Sequence, residues 1–132
     1  MKDEFLHDFV QKVFAANRSI RFIGITDQKG KVLGTSYRKD VMRQMSDEEI
    51  ENYTRPWVMQ MLMNDLFEKI TGELRYFLGF YDKLYTATIP VVFNRKDRLF
   101  VMLSFDIGDA DPRLLVEEKI LPLIGENRDF FI

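Results

Sequence analysis

Apolar residues near the start of the chain recur at the spacing of an α-helix. Phe5, Phe9 and Val13 lie four residues apart, and polar residues such as Asp8 fall between them. This spacing places the apolar side chains on one face of a helix and the polar ones on the other. The pattern therefore predicts an amphipathic helix that buries one face and ends near Asn17.

Two short apolar segments separated by a turn follow this helix. Residues 19–26 are rich in Ile and Phe, and residues 31–37 are similar in character. Between them lies Asp27-Gln28-Lys29-Gly30, in which the Asp can bond to its own backbone and the Gly tolerates positive φ. The pattern predicts a β-hairpin with a glycine bulge at Gly30.

A second helix is predicted after the basic connection formed by residues 38–45. Ser46 and Glu49 have the spacing of a capping box, in which the side chain of each accepts a bond from the backbone of the other. Apolar residues then recur up to Ile70, which is followed by the helix-ending residue Gly72. Pro56 lacks a backbone N–H, so we expect it to kink the helix or split it in two.

Three further strands are predicted in the second half of the chain, over residues 74–81, 84–93 and 98–105. The first is apolar on both faces, so we expect helices to cover both sides of the sheet. Pro90 cannot donate to a neighbouring strand, which predicts a bulge, a sheet edge or an early end for the second. The connections between the three strands are short and polar, as in antiparallel hairpins.

The last helix is predicted to begin at Asp111 and Pro112, which form an N-cap and first-turn pair. We expect this helix to run to Ile124, with its last turn weakened by Pro122. The segment Asp129-Phe130-Phe131-Ile132 is apolar. It is therefore expected either to fold back on the core of its own chain or to dock on a neighbour.

These elements follow one another in the order α-β-β-α-β-β-β-α, and the second helix is the crossover between the two groups of strands. Hairpin connections within both groups predict an antiparallel sheet. We therefore predict an α+β fold with three layers, α/β/α, around a five-stranded antiparallel sheet. The chain has 132 residues, of which 46% are hydrophobic and 30% charged, which suits a single domain over residues 1–132.

The residue types that most catalytic and metal sites need are scarce. There are no cysteines, and the one histidine, His7, falls on the polar side of the first helix. Asp106, Asp109 and Asp111 could hold a cation together, but their spacing lacks the calcium-loop pattern and a helix cap explains them better. No glycine-rich phosphate-binding motif is present. We therefore expect no catalytic residues, no metal and no cofactor.

Charge is unevenly distributed along the chain, although the net charge is only -2. Residues 17–45 carry an excess of Lys and Arg, and residues 46–73 an excess of Asp and Glu. These are either two solvated faces or complementary patches that steer a partner. Arg38, Lys39 and Arg43 form the best candidate for an anion-binding or partner-binding patch, with an ordinary basic loop as the alternative. The overall charge does not favour nucleic acid.

No part of the sequence has the character of a membrane or export segment. No apolar run approaches the roughly 18 residues that a membrane span needs. The first residues are acidic and are not followed by the apolar region of a secretory signal. We therefore expect a cytoplasmic protein without a membrane span.

The predicted order of elements resembles the roadblock/dynein-light-chain superfamily and its longin and profilin relatives. Those folds place a five-stranded antiparallel sheet between the crossover helix on one face and the terminal helices on the other. Residues 20–27, 30–34, 67–76, 88–90 and 104–112 also resemble a small archaeal family of unknown function that is common in ammonia-oxidising archaea. The second resemblance carries no activity with it, so it bears on the fold and the compartment.

The resemblance to roadblock proteins implies a homodimer. In those proteins the third strand pairs with its symmetry mate, and the crossover helices pack together beside it. They serve as non-catalytic platforms for small GTPases or larger assemblies, which makes an adaptor or regulatory role our leading functional hypothesis. On this sequence the implied interface consists of Trp57, Met61, Leu74, Tyr76, Leu78 and Phe80.

Two alternatives to this interpretation stay open. Trp57 and the Met-rich stretch of the second helix could be plain core instead of interface. The chain could also be a small-ligand sensor, because PAS domains likewise combine a central antiparallel sheet with covering helices. A sensor would need a cavity between the sheet and the second helix, lined by residues such as Trp57, Tyr76 and Phe80.

Overall fold

The computed structural model describes residues 3–93, 97–108 and 110–131. Its helices are α1 (Asp3–Ala16), α2 (Asp47–Asp65), α3 (Glu68–Thr71), α4 (Pro112–Leu115) and α5 (Leu121–Glu126). Its strands are β1 (Ile20–Thr26), β2 (Val32–Tyr37), β3 (Phe77–Phe80), β4 (Tyr85–Val92) and β5 (Arg98–Phe105). A π-helical turn (Val116–Ile120) joins α4 to α5, so we call residues 112–126 the C-terminal helix, and a 3-10 turn (Arg128–Phe131) follows it.

The five strands form one antiparallel sheet in the order β2-β1-β5-β4-β3. Strands β2 and β3 are therefore its two edges. The last three strands are neighbours because short hairpins connect them, and β5 returns to the centre to pair with β1. The predicted α+β class and the five-stranded antiparallel sheet are confirmed.

The larger core lies between the sheet and a layer formed by α1 and the C-terminal helix. Alternate residues of β1, β4 and β5 point into this core, because successive side chains of a strand face opposite sides of a sheet. Phe9 and Val13 of α1 meet Val116 and Ile120 of the C-terminal helix there, and all four are fully buried. The first and last helices therefore cover the same face of the sheet.

Helix α2 covers the opposite face. Its residue Thr54 is fully buried, and the Thr54 hydroxyl lies 3.1 Å from the sulfur of Met102 in β5. The side chain of Met102 points away from the larger core, into which its neighbours Val101 and Leu103 project. Among the described long helices, α1 and the C-terminal helix thus cover one face of the sheet and the crossover helix α2 covers the other, as the three-layer prediction requires.

Helix α2 begins as predicted but does not split at Pro56. Ser46 and Glu49 form the predicted capping box. The helix continues through Pro56, which is exposed. Water can therefore bond to the backbone carbonyl that an N–H group at position 56 would otherwise have bonded. The break comes later, at Leu66 and Phe67, where α2 gives way to α3.

The C-terminal helix accommodates Pro122 without ending there. The turn before it is π-helical, and the Leu121 N–H donates to the carbonyl of Val116. A π turn inserts one residue into the hydrogen-bonding pattern, which suits a position followed by a residue without an N–H. The predicted weakening at Pro122 therefore takes the form of a π turn, and the helix runs on to Glu126.

Strand β3 is shorter than predicted, since it spans Phe77–Phe80 and residues 74–76 precede the ladder. It begins opposite Thr88, so in the described sheet β4 has β5 as its neighbour from Ile89 onward. Pro90 lies in this part of β4, where a missing N–H costs little. The predicted edge position is confirmed, whereas the predicted early end is wrong because β4 continues to Val92.

The hairpin of β1 and β2 has its irregularity on β2 and not at Gly30. The register shifts so that Leu33 is the extra residue. Gly30 lies in the turn with a φ of 89°, which favours glycine. The Asp27 carboxylate accepts bonds from the backbone N–H groups of Lys29 and Lys31, both at 2.9 Å. The turn chemistry was predicted correctly, and the position of the bulge was not.

The end of the described chain folds back on the core of its own chain. Of the two predicted alternatives, this one is observed, and docking on a neighbour was the other. Phe131 is 3% exposed, and its ring centre lies 5.1 Å from that of Phe5 and 4.9 Å from that of Phe9. Both contacts are edge-to-face, an arrangement that aromatic pairs favour. Ile132 lies outside the described residues.

Candidate interaction surfaces

Strand β3 is an open edge of the sheet, and its backbone groups alternate between the two sides. The Tyr81 N–H donates to the Leu84 carbonyl at 3.0 Å, which makes these residues a hydrogen-bonded pair at the turn into β4. Alternate residues of an antiparallel ladder bond to the same neighbour, so Gly79 faces β4 as Tyr81 does. The N–H and C=O groups of Leu78 and Phe80 then point outward, where another strand could pair with them.

Apolar side chains flank this open edge. Phe80 is 64% exposed and Tyr81 is 47% exposed. Leu78, by contrast, packs against the larger core. Proteins usually protect a free strand edge with charges or prolines, because an apolar edge promotes pairing with another chain. Of the predicted interface residues, Leu78 and Phe80 are the two that lie on β3 itself, and their backbone groups are suited to self-association.

Helix α2 lies along β3 and is attached to both ends of the strand. The ring centres of Trp57 and Phe77 are 5.1 Å apart at one end. The hydroxyls of Tyr53 and Tyr81 are 3.2 Å apart at the other. A strand that pairs with β3 would therefore also approach this side of α2.

A second apolar surface, which we call the apolar stripe, runs along the outer side of α2 and through α3. Its six residues are 54% to 85% exposed. They are Met59, Leu62, Met63, Leu66, Phe67 and Ile70. At 3.6 residues per turn, Met59 and Met63 lie on the side of α2 opposite to the buried Ile50, Thr54 and Met61. The stripe therefore faces away from the sheet.

Two of the predicted interface residues, Trp57 and Met61, lie on the inner side of α2. Trp57 is half-buried against Phe77, and Met61 is only 5% exposed, so Met61 adds little surface to any interface. Met59, Leu62 and Met63 belong to the Met-rich stretch that the sequence left open as interface or core, whereas the continuation of the stripe through Leu66, Phe67 and Ile70 was not predicted. The residues of the stripe alternate with those of the inner face along α2, and a helix that is apolar on two sides gives no sign of which side meets the sheet.

Leu74 and Tyr76, also predicted interface residues, precede β3 in a segment that is tied to the C-terminal helix. The Tyr76 hydroxyl donates to Glu117 at 2.6 Å, and the Arg75 guanidinium donates to the same carboxylate at 3.0 and 2.7 Å. The bond from Tyr76, followed by the bond from Arg75, lowers the pKa of Glu117. These contacts fix the approach of the chain to the open edge.

Two of the three residues of the predicted basic patch are engaged in ion pairs. Arg38 donates to Asp106 at 2.6 Å, and Arg43 pairs with Asp47 in the first turn of α2. Lys39 is exposed beside them. The patch therefore offers an anion less charge than the sequence indicated, and its role in binding a partner stays a prediction.

Asp106 links the ends of three strands. It follows β5 and accepts bonds from Arg21 of β1 at 2.8 Å and from Arg38, just after β2, at 2.6 Å. Arg38 also donates to the carbonyl of Arg18 at 2.7 Å. The bond from Arg38 is the largest of the effects that lower the pKa of Asp106 below its ordinary value of 3.8. The cluster thus holds β1, β2 and β5 together at one end of the sheet.

Replacing Asp106 with Asn should lower the free energy of unfolding by about 1 kcal/mol at neutral pH, a charge-assisted value discounted for partial exposure. Because the folded chain lowers the pKa of Asp106, its stabilising effect is full above the unfolded value of 3.8 and is lost as the pH falls through the folded value. Urea denaturation at pH 7 and in acid measures this. A difference between the two proteins that persists in strong acid would contradict the assignment.

The carboxylates that the sequence suggested as cation ligands have other partners. Asp106 is held by arginines, and Asp111 caps the C-terminal helix by accepting a bond from the Arg113 N–H at 2.9 Å. Asp109 lies outside the described residues. Among the residues that the structure describes, no three His, Cys, Asp or Glu side chains form a group that could hold a metal ion. His7 is exposed on α1, as predicted.

The residues predicted to line a sensor cavity do not come together. Trp57 contacts Phe77 on the α2 face of the sheet. Phe80 falls on the other face, because side chains alternate along a strand and Phe80 is three residues from Phe77. Tyr76 packs against the larger core and bonds to the C-terminal helix. The predicted lining is therefore wrong, although a pocket of about 450 Å³ does lie between α2 and the sheet.

No protein-family model matches the sequence, and a search of curated proteins finds no significant match. The fold itself is that of the roadblock/LC7 domains. The gliding protein MglB from Thermus thermophilus has a TM-score of 0.67 at 12% identity, over 96% of this chain and 95% of that one. A roadblock/LC7 domain from Streptomyces avermitilis has a TM-score of 0.64 at 10% identity, over 98% and 97%.

MglC from Myxococcus xanthus is a more distant neighbour, with a TM-score of 0.53 at 14% identity over 92% of this chain and 98% of that one. Another solved structure of this fold is described as MglB in a tetrameric arrangement, with a TM-score of 0.67 at 12% identity over 93% of this chain and 87% of that one. At such low identity these likenesses establish the fold alone.

Proposed function

We propose that this protein is a non-catalytic homodimeric adaptor or regulator, in which β3 of one copy pairs with β3 of a second. The open edge of β3 supports the proposal, because the outward N–H and C=O groups of Leu78 and Phe80 are complementary to themselves in an antiparallel pair. The exposed ring of Phe80 adds apolar surface at the same place. Pairing of the third strand is also what the roadblock resemblance implies.

Such a dimer would leave the apolar stripe accessible. An antiparallel pair of β3 strands has its two-fold axis perpendicular to the sheet, so both copies of α2 would lie on the same face of one continuous sheet. The side of α2 that carries Tyr53 and Trp57 would face the second copy, since these residues contact β3. The stripe, which includes Leu62 and Leu66, points away from the sheet and would remain exposed.

The apolar stripe is the surface that would bind a regulated protein. Contiguous exposed apolar residues are uncommon on monomeric surfaces and mark interaction sites. Its two methionines, Met59 and Met63, have flexible and polarisable side chains that adapt to a partner. We propose a small GTPase as the partner class, because roadblock-like proteins serve as platforms for such proteins.

The double substitution Leu62→Glu and Leu66→Glu tests this surface. Burying two unpaired carboxylates in an apolar interface should weaken binding of a small GTPase more than a hundredfold. Calorimetry with small GTPases of the source organism, in the GDP and GTP forms, measures the change. Met42→Glu is the matched control, because Met42 is 84% exposed outside the stripe. Equal binding by the double variant and the control would contradict the proposal.

We also propose that the protein acts in the cytoplasm and performs no chemistry of its own. The second point is supported by the exposed position of His7 and by the burial of no Asp, Glu or His side chain among the described residues, since an activated nucleophile needs such a base held close to it. Within the described residues, no helix combines the length and the apolar character needed to cross a bilayer. The resemblance to an archaeal family stays a prediction.

A further inference from the structure

A pocket of about 450 Å³ lies between the sheet and the first half of α2, at the opposite end of α2 from the apolar stripe. The connection that leads into α2 closes one side of it. Its volume falls within the range of about 300–1000 Å³ that is usual for small-molecule sites. The exposed surface of the lining is mostly apolar, and its aromatic and thioether side chains are Phe22, Tyr37, Met45, Tyr53, Tyr81 and Met102.

Two glycines of the sheet allow aromatic rings to lie flat on the floor of this pocket. A Cβ on Gly24 would be 2.8 Å from the tip of the Phe22 ring, and a Cβ on Gly79 would be 2.8 Å from the Tyr81 ring. In each case the ring belongs to the residue two positions away on the same face of the strand. A Cβ at Gly24 would displace the Phe22 ring, and a Cβ at Gly79 would meet the Thr86 hydroxyl at 2.5 Å as well as the Tyr81 ring, so both rings need a glycine beneath them to lie on the sheet.

A pair of hydroxyls, from Tyr53 and Tyr81, lies at one end of this lining, which also includes the polar side chains of Gln44, Thr86, Thr88 and Ser104. The hydroxyls of Tyr53 and Tyr81 are 3.2 Å apart, so one donates to the other, and Thr86 and Trp57 also lie within hydrogen-bonding reach of Tyr53. A ligand acceptor would take the hydroxyl proton of the pair that is not used between the two tyrosines. Burial, followed by the bond with Tyr81, raises the pKa of Tyr53 to about 12. The Tyr53 hydroxyl therefore stays protonated and neutral over the physiological range.

The composition of the lining selects against charged ligands. Arg21 lines the pocket, but its guanidinium is already bonded to Asp106 at 2.8 Å. Asp82 and Lys83 lie at the exposed rim, in the turn between β3 and β4. A charged group placed against the apolar floor would lose its hydration without gaining a partner, which is strongly unfavourable. A neutral ring would instead find aromatic surfaces on two sides.

We propose that this pocket binds a neutral aromatic small molecule that carries one hydrogen-bond acceptor, such as a carbonyl oxygen. The rings of Phe22 and Tyr37, whose centres are 4.9 Å apart, contact the aromatic part at one end. The hydroxyl pair of Tyr53 and Tyr81 donates to the acceptor at the other. All the lining residues belong to one chain and none belongs to the apolar stripe, although Tyr53 and Tyr81 lie beside the proposed dimer edge.

Titration with prodan, a neutral naphthalene ketone whose emission shifts to the blue in apolar surroundings, tests the proposal. We expect saturable binding of one prodan per chain. Ser104→Phe, which places a ring on the pocket floor, should abolish this binding. The pair of substitutions Tyr53→Phe and Tyr81→Phe should weaken it about tenfold, through the loss of one hydrogen bond.

Two controls keep the test decisive. Gly24→Ala should displace the Phe22 ring and weaken binding, whereas Gly108→Ala should not, because a Cβ there meets nothing within 4 Å. Amide NMR shifts on adding prodan to the unmodified protein should concentrate at Thr86, Thr88 and Ser104. Absence of saturable binding, or shifts confined to the apolar stripe, would overturn the proposal, whether or not the protein dimerises.

Discussion

Phe80→Pro is expected to dissociate the proposed dimer while leaving the chain folded. The Phe80 N–H points to the open edge and not to β4, so proline removes no bond within the chain. Each copy of a symmetric interface would lose one donor, which makes two bonds of about 1 kcal/mol each. The dimer dissociation constant should therefore rise about thirtyfold, and analytical ultracentrifugation measures that constant.

Phe80→Ala is the control that separates the backbone from the side chain. It keeps the outward N–H and removes the ring, which is 64% exposed and contacts Tyr85. We expect a smaller effect on dimerisation than that of proline. If the proline and alanine variants dimerise equally well, backbone pairing along β3 does not hold the dimer together.

Phe9→Ala is expected to lower the free energy of unfolding by about 3–5 kcal/mol, the range for removing a buried aromatic ring. Phe9 is fully buried, and its ring stacks on Phe5 and meets the edge of Phe131. Its loss would leave a cavity where α1, the sheet and the end of the chain come together. Urea denaturation at one fixed protein concentration measures the change, because the midpoint of a dimer depends on concentration.

Phe130→Ala provides the comparison for this core substitution. Phe130 also stacks on Phe5 but is 60% exposed, so its removal should cost less than about 1 kcal/mol. A similar cost for Phe9→Ala and Phe130→Ala would mean that the end of the chain does not pack as the structure has it.

The features that the sequence predicted well are set by local chemistry. The capping box of Ser46 and Glu49 and the turn at Asp27 involve groups a few residues apart, so the sequence contains all the partners. The amphipathic spacing of Phe9 and Val13 likewise sufficed to predict the buried face of α1. Together with the hairpin lengths, these local signals led to the correct fold class.

The features that the sequence did not predict depend on contacts between distant elements. Strand β3 is short because residues 74–76 are drawn to Glu117 of the C-terminal helix, far away in the sequence. Pro90 is tolerated within β4 because β3 stops short of it. The apolar stripe could not be told from core, since only the placement of α2 on the sheet decides which of its two apolar sides is covered.

Contacts between distant elements also decide which of the predicted site residues come together. Leu78 and Phe80 were predicted from the resemblance, and they do lie on an edge strand. Trp57, Tyr76 and Phe80 could not line one cavity, because strand alternation and the path of residues 72–76 place them in different layers. The pocket with Tyr53 and Tyr81 depends on glycines whose role appears only when rings from neighbouring positions lie over them.

The solution mass of the purified protein, measured by light scattering behind a sizing column over a wide concentration range, tests the central claim most directly. We predict a mass twice the 15.7 kDa of one chain, with dissociation only on strong dilution. A mass of 15.7 kDa at every concentration would contradict the proposed homodimer, and with it the assignment of β3 as its interface.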